Sequence, residues 1–473
     1  MKLAVVGGGI AGLAAAHRAV ELARERGQPL ELALFEAGDR LGGTIQTERY
    51  EGFLVECGPD SFLSEKPWAL QLCKRLGIED RLVRTDDRFR RTYVAFRGRL
   101  HPLPDGFQLL APTRLGPFIR SGLFSWPGKL RMAMDLVLPR GGDPDESLGE
   151  FVSRRLGREA LERVAQPLVA GIYTADPGVL SLAATMPRFL DLERKERSLI
   201  LGLWRGARRA PAEAAGASGA RWSLFVTFAE GMEEFIRALA THLPPDAVRL
   251  KARVTDLTPE GSGWRIGLRD GPPATADAVI VSTESHQAGR MLRYADPGLA
   301  HLLDGIPYAS SATVTLGWRR ADIPHPLDGF GFVVPQIERR PIIACTFSSV
   351  KYPGRAPDGF VLLRVFMGGA LNEAILDGDD ETLTRVARAE LGELLGVTAP
   401  PLFSRVSRYP KAMPQYQVGH LARVEAIEGC LRAHPGLALV GGAYRGVGIS
   451  DCVRSGEEAT ARLLDRARGP GPS

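Results

Sequence analysis

The sequence predicts an α/β fold, and three features of the chain carry this prediction. A short apolar run, a glycine-rich turn and a helix rich in Ala and Leu follow one another between residues 3 and 24. Several β-rich runs between residues 290 and 405 predict a mixed sheet. A second strand, glycine-rich loop and helix occupy residues 437–465. Because both ends of the chain carry this pattern, we expect them to meet on one nucleotide-binding sheet.

Length and composition describe an ordinary globular protein of several domains. The 473 residues exceed what one simple core holds, which favours two or three domains. A net charge of +5 is too weak a bias for a nucleic-acid binder, although it suits acidic small molecules or an anionic membrane surface. Five cysteines at wide spacings predict reduced thiols in a reducing compartment and no metal site.

The chain shows neither a signal peptide nor a transmembrane segment, so we expect a cytoplasmic protein. The apolar start is interrupted by Gly7-Gly8-Gly9, and no run of about 18 apolar residues follows. The span 107–138 combines large apolar residues with Arg and Lys and contains one acidic residue, Asp135. It predicts either peripheral attachment to the cytoplasmic face of the inner membrane or an ordinary helix packed on the core.

The N-terminal glycines predict a binding site for the pyrophosphate of a dinucleotide. They stand at G-x-G-x-x-G spacing between a strand and a helix, where glycine permits a tight turn, close approach of a phosphate and close helix packing. The N–H groups at the helix start favour the phosphate charge. The binding residues predicted here are Gly7, Gly8, Gly9, Ile10, Ala11 and Gly12.

The following segment favours FAD over NAD as the dinucleotide. The second apolar run ends at Glu36, whose carboxylate can accept hydrogen bonds from ribose hydroxyls. An R-x-G-G stretch follows at once, and an NAD dehydrogenase has no need of it. Its glycines let the backbone pass near the phosphates, and Arg40 can help to neutralise them. The residues predicted to continue the site are Glu36, Ala37, Arg40, Gly42, Gly43 and Thr44.

Three further segments are predicted to touch the same cofactor. The turn of Gly58, Pro59, Asp60 and Ser61 is expected to pass the flavin ring or its ribityl chain. Val254, in a strand predicted from residue 248 to 257, is a candidate for backbone contact with the adenine. The C-terminal helix start favours negative charge on the reduced flavin ring. Its candidate residues are Gly442, Val447, Gly448 and Ile449.

The middle of the chain predicts a helical part and a return to the nucleotide domain. Residues 75–215 are expected to be largely helical with proline breaks, and residues 207–220 to form a flexible linker. A helix over 233–242 and strands over 248–257 and 276–282 then bring the chain back to the first sheet.

Several segments that are more specific than the glycine motifs resemble the oxygen-dependent protoporphyrinogen oxidases of bacteria and mitochondria, within the flavin amine-oxidase superfamily. The resemblance covers nearly the whole chain. The segments that carry it are 41–43 with 58–62, 171–176 with 180–181, 197–202, 329–331, 414–416 with 419–420, and 444–452.

This resemblance implies three domains. They are a Rossmann-like FAD-binding domain of the glutathione-reductase and amine-oxidase type, a mixed-sheet substrate domain and a helical membrane-binding domain. The implied segments are 1–75, 223–285 and 409–473 for FAD, 76–222 for the helical substrate and membrane part, and 286–408 for substrate. A homodimer is a candidate assembly.

The implied reaction is the six-electron oxidation of protoporphyrinogen IX to protoporphyrin IX in heme biosynthesis, with oxygen as acceptor and release of hydrogen peroxide. By resemblance, the backbone carbonyl of Gly171 faces the substrate near the flavin, and Tyr409 lies near the flavin. Relatives carry an arginine for a substrate propionate at the position of Thr92. Here Arg91 or Arg90 would take that role, with Arg91 the named candidate.

Three alternatives stay open from the sequence. Coproporphyrinogen III, with four propionates, would undergo the same chemistry. An amine oxidase or carotenoid desaturase could use the same scaffold, although Tyr444 has no obvious aromatic partner. A flavin-binding protein without turnover is the third alternative.

Overall fold

The computed structural model describes residues 1–108, 110–209 and 225–466. The strands are β1 (Lys2–Val6), β2 (Glu31–Phe35), β3 (Thr47–Tyr50), β4 (Phe53–Glu56), β5 (Phe62–Leu63), β6 (Leu82–Arg84), β7 (Thr92–Phe96), β8 (Arg99–Pro102), β9 (Phe107–Gln108), β10 (Ala111–Pro112), β11 (Phe225–Phe228), β12 (Val248–Arg249), β13 (Val254–Glu260), β14 (Gly263–Leu268), β15 (Ala274–Ala276), β16 (Ala278–Val281), β17 (Tyr308–Arg319), β18 (Gly331–Val333), β19 (Ile342–Phe347), β20 (Phe360–Gly368), β21 (Phe403–Pro414) and β22 (Leu437–Leu439).

Helices connect these strands and form a separate layer in the middle of the chain. They are α1 (Ile10–Glu25), α2 (Pro67–Arg75), α3 (Leu115–Arg120), α4 (Trp126–Ala133), α5 (Leu148–Leu156), α6 (Arg158–Ala160), α7 (Gln166–Tyr173), α8 (Leu182–Thr185), α9 (Pro187–Glu196), α10 (Leu199–Arg209), α11 (Glu233–Thr241), α12 (Ser285–Leu292), α13 (Pro297–Asp304), α14 (Ser348–Lys351), α15 (Asp380–Leu395), α16 (His420–Leu431) and α17 (Ile449–Arg466).

Both ends of the chain contribute to one parallel sheet, as the sequence predicts. Its order is β12-β2-β1-β16-β22, so the first strand and the last strand both pair with β16. Beside this sheet α1 and α17 pack closely on each other. A Cβ added at Gly456 of α17 would collide with the carbonyl oxygen of Ala11 in α1. Thr460 Oγ1 also donates to the carbonyl of Ala15, 3.1 Å away. This close packing brings the two glycine-rich helix starts to the same edge of the sheet.

The strand predicted over residues 248–257 is instead two strands in two sheets. β12 joins the parallel sheet, whereas β13 pairs antiparallel with β14. The chain turns between them at Lys251, whose φ of 55° is left-handed and incompatible with a continuous strand. The turn is held by hydrogen bonds to the carbonyls of Gly38 and Glu36.

A seven-stranded mixed sheet forms the second large layer, in the order β21-β17-β20-β19-β18-β7-β8. Most neighbours are antiparallel, and β18 and β7 are parallel. The sequence predicts this sheet from its runs after residue 290. It does not predict the edge pair β7 and β8, which come from the span 76–222 that the resemblance assigned to helices.

The prediction that residues 75–215 are largely helical is therefore wrong over residues 82–112, which form short strands. Every position of β7 is buried, because its side chains alternate between two cores. Val94 and Phe96 face the helical layer, while Tyr93 and Ala95 face the far side of the sheet. Such a strand has no polar alternation, so its sequence gives no period-2 signal.

From Leu115 onward the prediction of helices is correct. A buried ion pair holds this layer together, since Arg155 Nε donates to Asp135 Oδ1 at 2.7 Å and both side chains are fully buried. Ser198 Oγ donates to the other oxygen of Asp135 at 2.6 Å. The Arg-Ser segment that contributed to the family resemblance thus has a structural role, because it joins α10 to the turn after α4.

Other predictions about this region can be compared directly with the structure. α10 extends to Arg209, so the flexible linker expected at residues 207–220 begins too early, and residues 210–220 lie outside the described residues. Across the described ranges, no helix is both long and apolar enough to cross a bilayer. The five cysteines are free thiols, and the described residues hold no cluster of metal ligands.

Candidate functional site

The N-terminal glycine loop has the shape of a phosphate cradle. Gly7 takes a φ of 103°, which side-chain-bearing residues rarely adopt. A Cβ added at Gly12 would collide with the carbonyl oxygen of Gly7, so the helix start requires glycine there. A Cβ added at Gly9 would meet nothing within 4 Å. The space over Gly9, at the N-terminus of α1, is therefore open to a ligand group.

Glu36 is fixed at the carboxyl end of β2. Its Oε2 accepts from the N–H of Gly8 at 2.7 Å, and its Oε1 accepts from the N–H of Gly38 at 2.6 Å. A carboxylate held in this way keeps lone pairs for the hydroxyls of a ribose. Ala37 lies in the same turn and is exposed. The arrangement fits the adenosine half of FAD.

The R-x-G-G stretch lies directly against the first glycine loop. The N–H of Gly42 donates to the carbonyl of Gly8 at 2.8 Å, and a Cβ added at Gly43 would lie 3.4 Å from the Cα of Gly9. Arg40 donates to carbonyl oxygens of its own loop, at Leu41, Gly43 and Ile45. Arg40 therefore closes this loop; its predicted contact with phosphate stays a prediction.

The turn at residues 58–61 is joined to the R-x-G-G stretch on one side and to the mixed sheet on the other. A Cβ added at Gly58 would collide with the carbonyl of Thr44, so the turn packs on the end of the R-x-G-G stretch. On its other side, Arg364 of β20 donates to the carbonyl of Gly58 at 2.7 Å. Lys351 of α14 donates to Asp60 Oδ2 at 3.0 Å, and Ser61 donates to Asp60 Oδ1 at 2.7 Å.

These cations change the chemistry of Asp60. Burial alone would raise the pKa of Asp60, but the charges of Lys351 and Arg364 outweigh burial and lower this pKa to about 2. Asp60 is thus a carboxylate at any physiological pH, and its nearest charged partner is Lys351. The sequence reasoning missed Lys351 and Arg364. A charged residue inside the apolar run 360–367 was the available signal for Arg364.

The C-terminal glycine loop reaches the same place from the other side. A Cβ added at Gly441 would lie 3.8 Å from the Cβ of Ala11, at the start of α1. Ser450, in the first turn of α17, lies within hydrogen-bonding distance of the carbonyls of Leu63 and Lys66, just after the 58–61 turn. The predicted residues Gly442, Val447, Gly448 and Ile449 therefore lie beside the N-terminal loops.

Val254 lies near Glu36, but the two residues share no hydrogen bond. The N–H of Ala252 donates to the carbonyl of Glu36 at 2.8 Å, two residues before Val254. Val254 itself is half-buried at the start of β13. Its predicted contact with the adenine remains a prediction that this placement permits.

Gly171 is exposed in the last turn of α7, over the mixed sheet. A Cβ added there would meet only Val333 of β18, at 3.9 Å, so the space beside Gly171 is open. Helix α7 ends two residues later, and Gln415 Nε2 donates to the carbonyl of Tyr173 at 3.1 Å. The last carbonyls of a helix lack intrahelical partners, which makes that of Gly171 available to a ligand.

Strand register shows that one face of the mixed sheet carries most of the site. Residues directly opposite each other in neighbouring strands share a face. Gly331 lies opposite Thr346, and Thr346 lies opposite Arg364, so Val333 and Arg364 are on one face. Tyr409 lies on this face as well, because it is opposite Ser311 in β17, two residues from Thr313. Thr313 Oγ1 accepts from Arg364 at 3.3 Å.

Tyr409 has a second feature that suits its predicted role near the flavin. Its hydroxyl oxygen is buried and has no hydrogen-bond partner in the described part of the protein. A buried hydroxyl without a partner is costly unless a ligand supplies one. The flavin contact of Tyr409 nevertheless stays a prediction.

Arg91 is not brought together with Gly171. Its guanidinium forms an ion pair with Asp328 and donates to the hydroxyl of Tyr93 at 3.3 Å. Tyr93 lies opposite Phe332, on the face of the sheet away from Val333 and Gly171. We therefore leave Arg91 out of the proposed substrate site. Arg90 forms an ion pair with Asp87, so it does not take over the role predicted for Arg91.

The chain is similar to known proteins over nearly its whole length. The family profile described as "Flavin containing amine oxidoreductase" matches residues 10–464. Coproporphyrinogen III oxidase of Bacillus subtilis is 37% identical over 97% of both chains. Human protoporphyrinogen oxidase is 31% identical and covers 97% of this chain and 98% of its own. A crystal structure from Exiguobacterium sp. 255-15, of a protein provisionally named protoporphyrinogen oxidase, superposes with a TM-score of 0.86 at 31% identity, covering 98% and 99% of the two chains.

Proposed function

The chain belongs to the flavin containing amine oxidoreductase family, and on that premise we propose that it oxidises a porphyrinogen at the face of the mixed sheet beside Gly171. The observation that carries this proposal is that the predicted cofactor loops and an open space for substrate lie together. Glycine-rich loops from both termini, the 58–61 turn and the open space at Gly171 lie around one edge of the nucleotide sheet and one face of the mixed sheet.

The cofactor is FAD, and the residues present fit it. Open space over Gly9, the N–H groups at the start of α1 and the fixed carboxylate of Glu36 match a pyrophosphate and a ribose. FAD supplies the electron-accepting chemistry when it is bound. The chain's own part is to position the substrate and exclude water.

Individual residues have distinct tasks in this arrangement. Arg364 and Lys351 hold the 58–61 turn against the mixed sheet, which keeps the cofactor site and the substrate face at a fixed separation. The carbonyl of Gly171 offers an acceptor to the pyrrole N–H groups of a porphyrinogen. Because Gly171 has no side chain, a flat macrocycle can approach that carbonyl closely.

We infer that coproporphyrinogen III is the preferred substrate. The sequence resemblance implied protoporphyrinogen IX, with coproporphyrinogen III as the first alternative. The identity to the Bacillus subtilis coproporphyrinogen III oxidase, 37%, exceeds the 31% identity to human protoporphyrinogen oxidase. In either case three molecules of oxygen take up six electrons and six protons and leave as three molecules of hydrogen peroxide.

Anaerobic mixing tests the proposal. Coproporphyrinogen III should bleach the visible band of the bound flavin, and oxygen should restore it with release of peroxide. Porphyrin fluorescence then compares kcat/KM for the two porphyrinogens, and we expect a ratio in favour of coproporphyrinogen III. A flavin that stays yellow with both substrates contradicts the proposed activity, and a ratio in favour of protoporphyrinogen IX contradicts only the preference.

We further propose peripheral contact with a membrane through α3, α4 and the turn that follows. Seven large apolar side chains are exposed there: Leu115, Ile119, Trp126, Leu130, Met134, Leu136 and Val137. Lys129 donates to the carbonyl of Ile119 at 2.7 Å, which holds the two helices side by side. Exposed apolar residues with basic neighbours suit an anionic bilayer surface.

Sedimentation with phosphatidylglycerol vesicles tests this contact. We expect the full-length protein to cosediment, and the double variant Trp126→Glu with Leu130→Glu to remain in the supernatant. Tyr294, which is 84% exposed on another part of the surface, gives the matched control Tyr294→Glu. Equal cosedimentation of all three proteins overturns this proposal.

A further inference from the structure

The segment from Pro414 to His420 contributed to the family resemblance, and the backbone of its second half pairs with residues 179–181, which leaves the side chains of Tyr416 and His420 to be explained. Tyr416 is only 2% exposed, and its hydroxyl makes two hydrogen bonds to the C-terminal glycine loop. It donates to the carbonyl of Gly442 at 2.7 Å and accepts from the N–H of Gly446 at 2.8 Å. One hydroxyl thus joins the two ends of this loop.

His420 holds the middle of the same loop. Its ring stacks on that of Tyr416, with centroids 3.9 Å apart and an interplanar angle of 13°. Its Nε2 lies 2.8 Å from the carbonyl oxygen of Tyr444. Because a carbonyl only accepts, Nε2 must carry the proton in this bond. Burial lowers the pKa of His420, so the ring is neutral with this single N–H in use.

The two side chains together contact every second residue of the loop. They reach Gly442, Tyr444 and Gly446, directly before the residues predicted to face the flavin, Val447 and Gly448. Gly446 has a φ of 124°; glycine adopts this and many other conformations freely, so the shape of the loop at this point depends on support from outside it. Tyr416 and His420, hereafter the aromatic pair, provide that support from a different part of the chain.

We propose that the aromatic pair consists of positioning residues for FAD, which hold the loop 442–446 in the shape that presents the backbone of residues 447–448 to the cofactor. The proposal rests on the FAD binding described above and goes beyond it, because these side chains act through the loop. The adjacent Gln415 reaches the end of α7 instead, so the effect on FAD belongs to the aromatic pair.

Release of FAD from the holoprotein is the decisive measurement. Free FAD fluoresces more strongly than the protein-bound form, so dilution reports the release rate. The Tyr416→Phe variant keeps the ring and its stacking but loses both hydrogen bonds, and we expect release to become roughly tenfold faster. The visible spectrum of the bound flavin should change as well.

Tyr308→Phe is the matched control. Tyr308 is half-buried, and its hydroxyl accepts from the N–H of Ser285 at 2.8 Å, at the start of α12. This variant also loses a tyrosine hydroxyl bonded to the backbone; its ring packs against the core that contains Tyr444, but its hydroxyl holds the start of α12 rather than the C-terminal loop. We expect a loss of thermal stability similar to that of Tyr416→Phe, with the FAD release rate unchanged.

Variants of His420 separate stacking from hydrogen bonding. His420→Phe keeps an aromatic ring and loses the bond to Tyr444, so FAD release should become roughly threefold faster. His420→Gln keeps an N–H donor and should restore part of the wild-type rate. Because the pair acts as one unit, the double variant Tyr416→Phe with His420→Phe should accelerate FAD release by a smaller factor than the product of the two single accelerations.

Two outcomes overturn the inference. Tyr416→Phe releases FAD at the wild-type rate, or Tyr308→Phe accelerates release as much as Tyr416→Phe does. These outcomes differ from failure of the proposed function. A yellow protein that oxidises no porphyrinogen leaves the aromatic pair intact as FAD-positioning residues, whereas a colourless wild-type protein that FAD cannot reconstitute refutes both.

Discussion

The two glycine-rich loops at the ends of the chain lie side by side and are both predicted to bind FAD, but the protein holds them in different ways. The N-terminal loop is fixed by residues that belong to the recognisable βαβ and R-x-G-G patterns, chiefly the carboxylate of Glu36 and the backbone of Gly42. The C-terminal loop is fixed by the side chains of Tyr416 and His420, which lie no farther away in sequence but stand outside its strand-loop-helix pattern. The first loop can therefore be read from a local motif, whereas the second depends on tertiary contacts that a motif does not contain.

A substitution inside the N-terminal loop should have the largest effect. In Gly12→Ala the new Cβ collides with the backbone of Gly7, so α1 must move away from the sheet. We expect the free energy of unfolding to fall by about 3 kcal/mol and the purified protein to lack flavin. Denaturant unfolding and the ratio of flavin absorbance to protein absorbance measure the two effects.

Gly9→Ala sharpens this prediction, because its Cβ meets nothing within 4 Å. The stability of the apoprotein should stay within about 0.5 kcal/mol of wild type, while FAD affinity falls because the methyl group occupies the ligand's space. A Gly9→Ala protein that binds FAD normally would show that the open space over Gly9 is not used by the cofactor.

Breaking the ion pair at the 58–61 turn should cost somewhat less. Lys351→Met leaves the carboxylate of Asp60 without its nearest cation, so the pKa of Asp60 rises from about 2. We expect a loss of about 2 kcal/mol at pH 7, measured by urea unfolding. The double variant Lys351→Met with Asp60→Asn should recover part of that loss, and a single variant as stable as wild type would contradict the role of this pair.

Acid should weaken the N-terminal side through His17 of α1. Burial is the main cause that lowers the pKa of His17 from 6.5 to about 4, so the folded protein holds this ring neutral. The unfolded chain therefore binds the proton first, and the contribution of His17 to stability is lost as pH falls from about 6.5 towards 4. Between pH 7 and pH 5 we expect about 2 kcal/mol of pH-dependent loss from this group. Urea unfolding of His17→Gln should lack this part of the pH dependence, and an unchanged slope would disprove the assignment.

The smallest effect is expected from a substitution of Ser455, which contacts the start of the C-terminal loop. Ser455 Oγ accepts from the N–H of Gly441 at 2.8 Å, outside the stretch held by the aromatic pair. Ser455→Ala should lower the free energy of unfolding by about 1 kcal/mol and leave FAD release nearly unchanged. If Ser455→Ala releases FAD as fast as Tyr416→Phe, the distinction between the two parts of the loop fails.

The same contrast explains what could be predicted from the sequence. The G-x-G-x-x-G turn, Glu36 and the R-x-G-G stretch are local patterns, and the structure brings them together as expected. The edge strands β7 and β8 and the turn at Lys251 were missed, because strand pairing and a single left-handed residue leave no periodic trace.

The site residues divide in the same way. Arg91 was chosen by resemblance, as the neighbour of the position where relatives carry an arginine, but strand alternation turns Tyr93 and its partner Asp328 to the far face of the sheet. Lys351 and Arg364 act on a turn about 300 residues earlier in the chain, a relation that only the fold creates. Local motifs therefore sufficed to predict the FAD-binding loops, whereas the contacts that join the 58–61 turn to the mixed sheet required the structure.

The position of β22 has a consequence for biosynthesis. β16 pairs with β1 on one side and with β22 on the other, and β22 is the last strand of the described chain. While the ribosome is still translating, β16 has an open edge until residues 437–439 emerge. The cofactor pocket therefore cannot close before residues 437–439 have emerged, and we expect a nascent chain without them to retain no flavin.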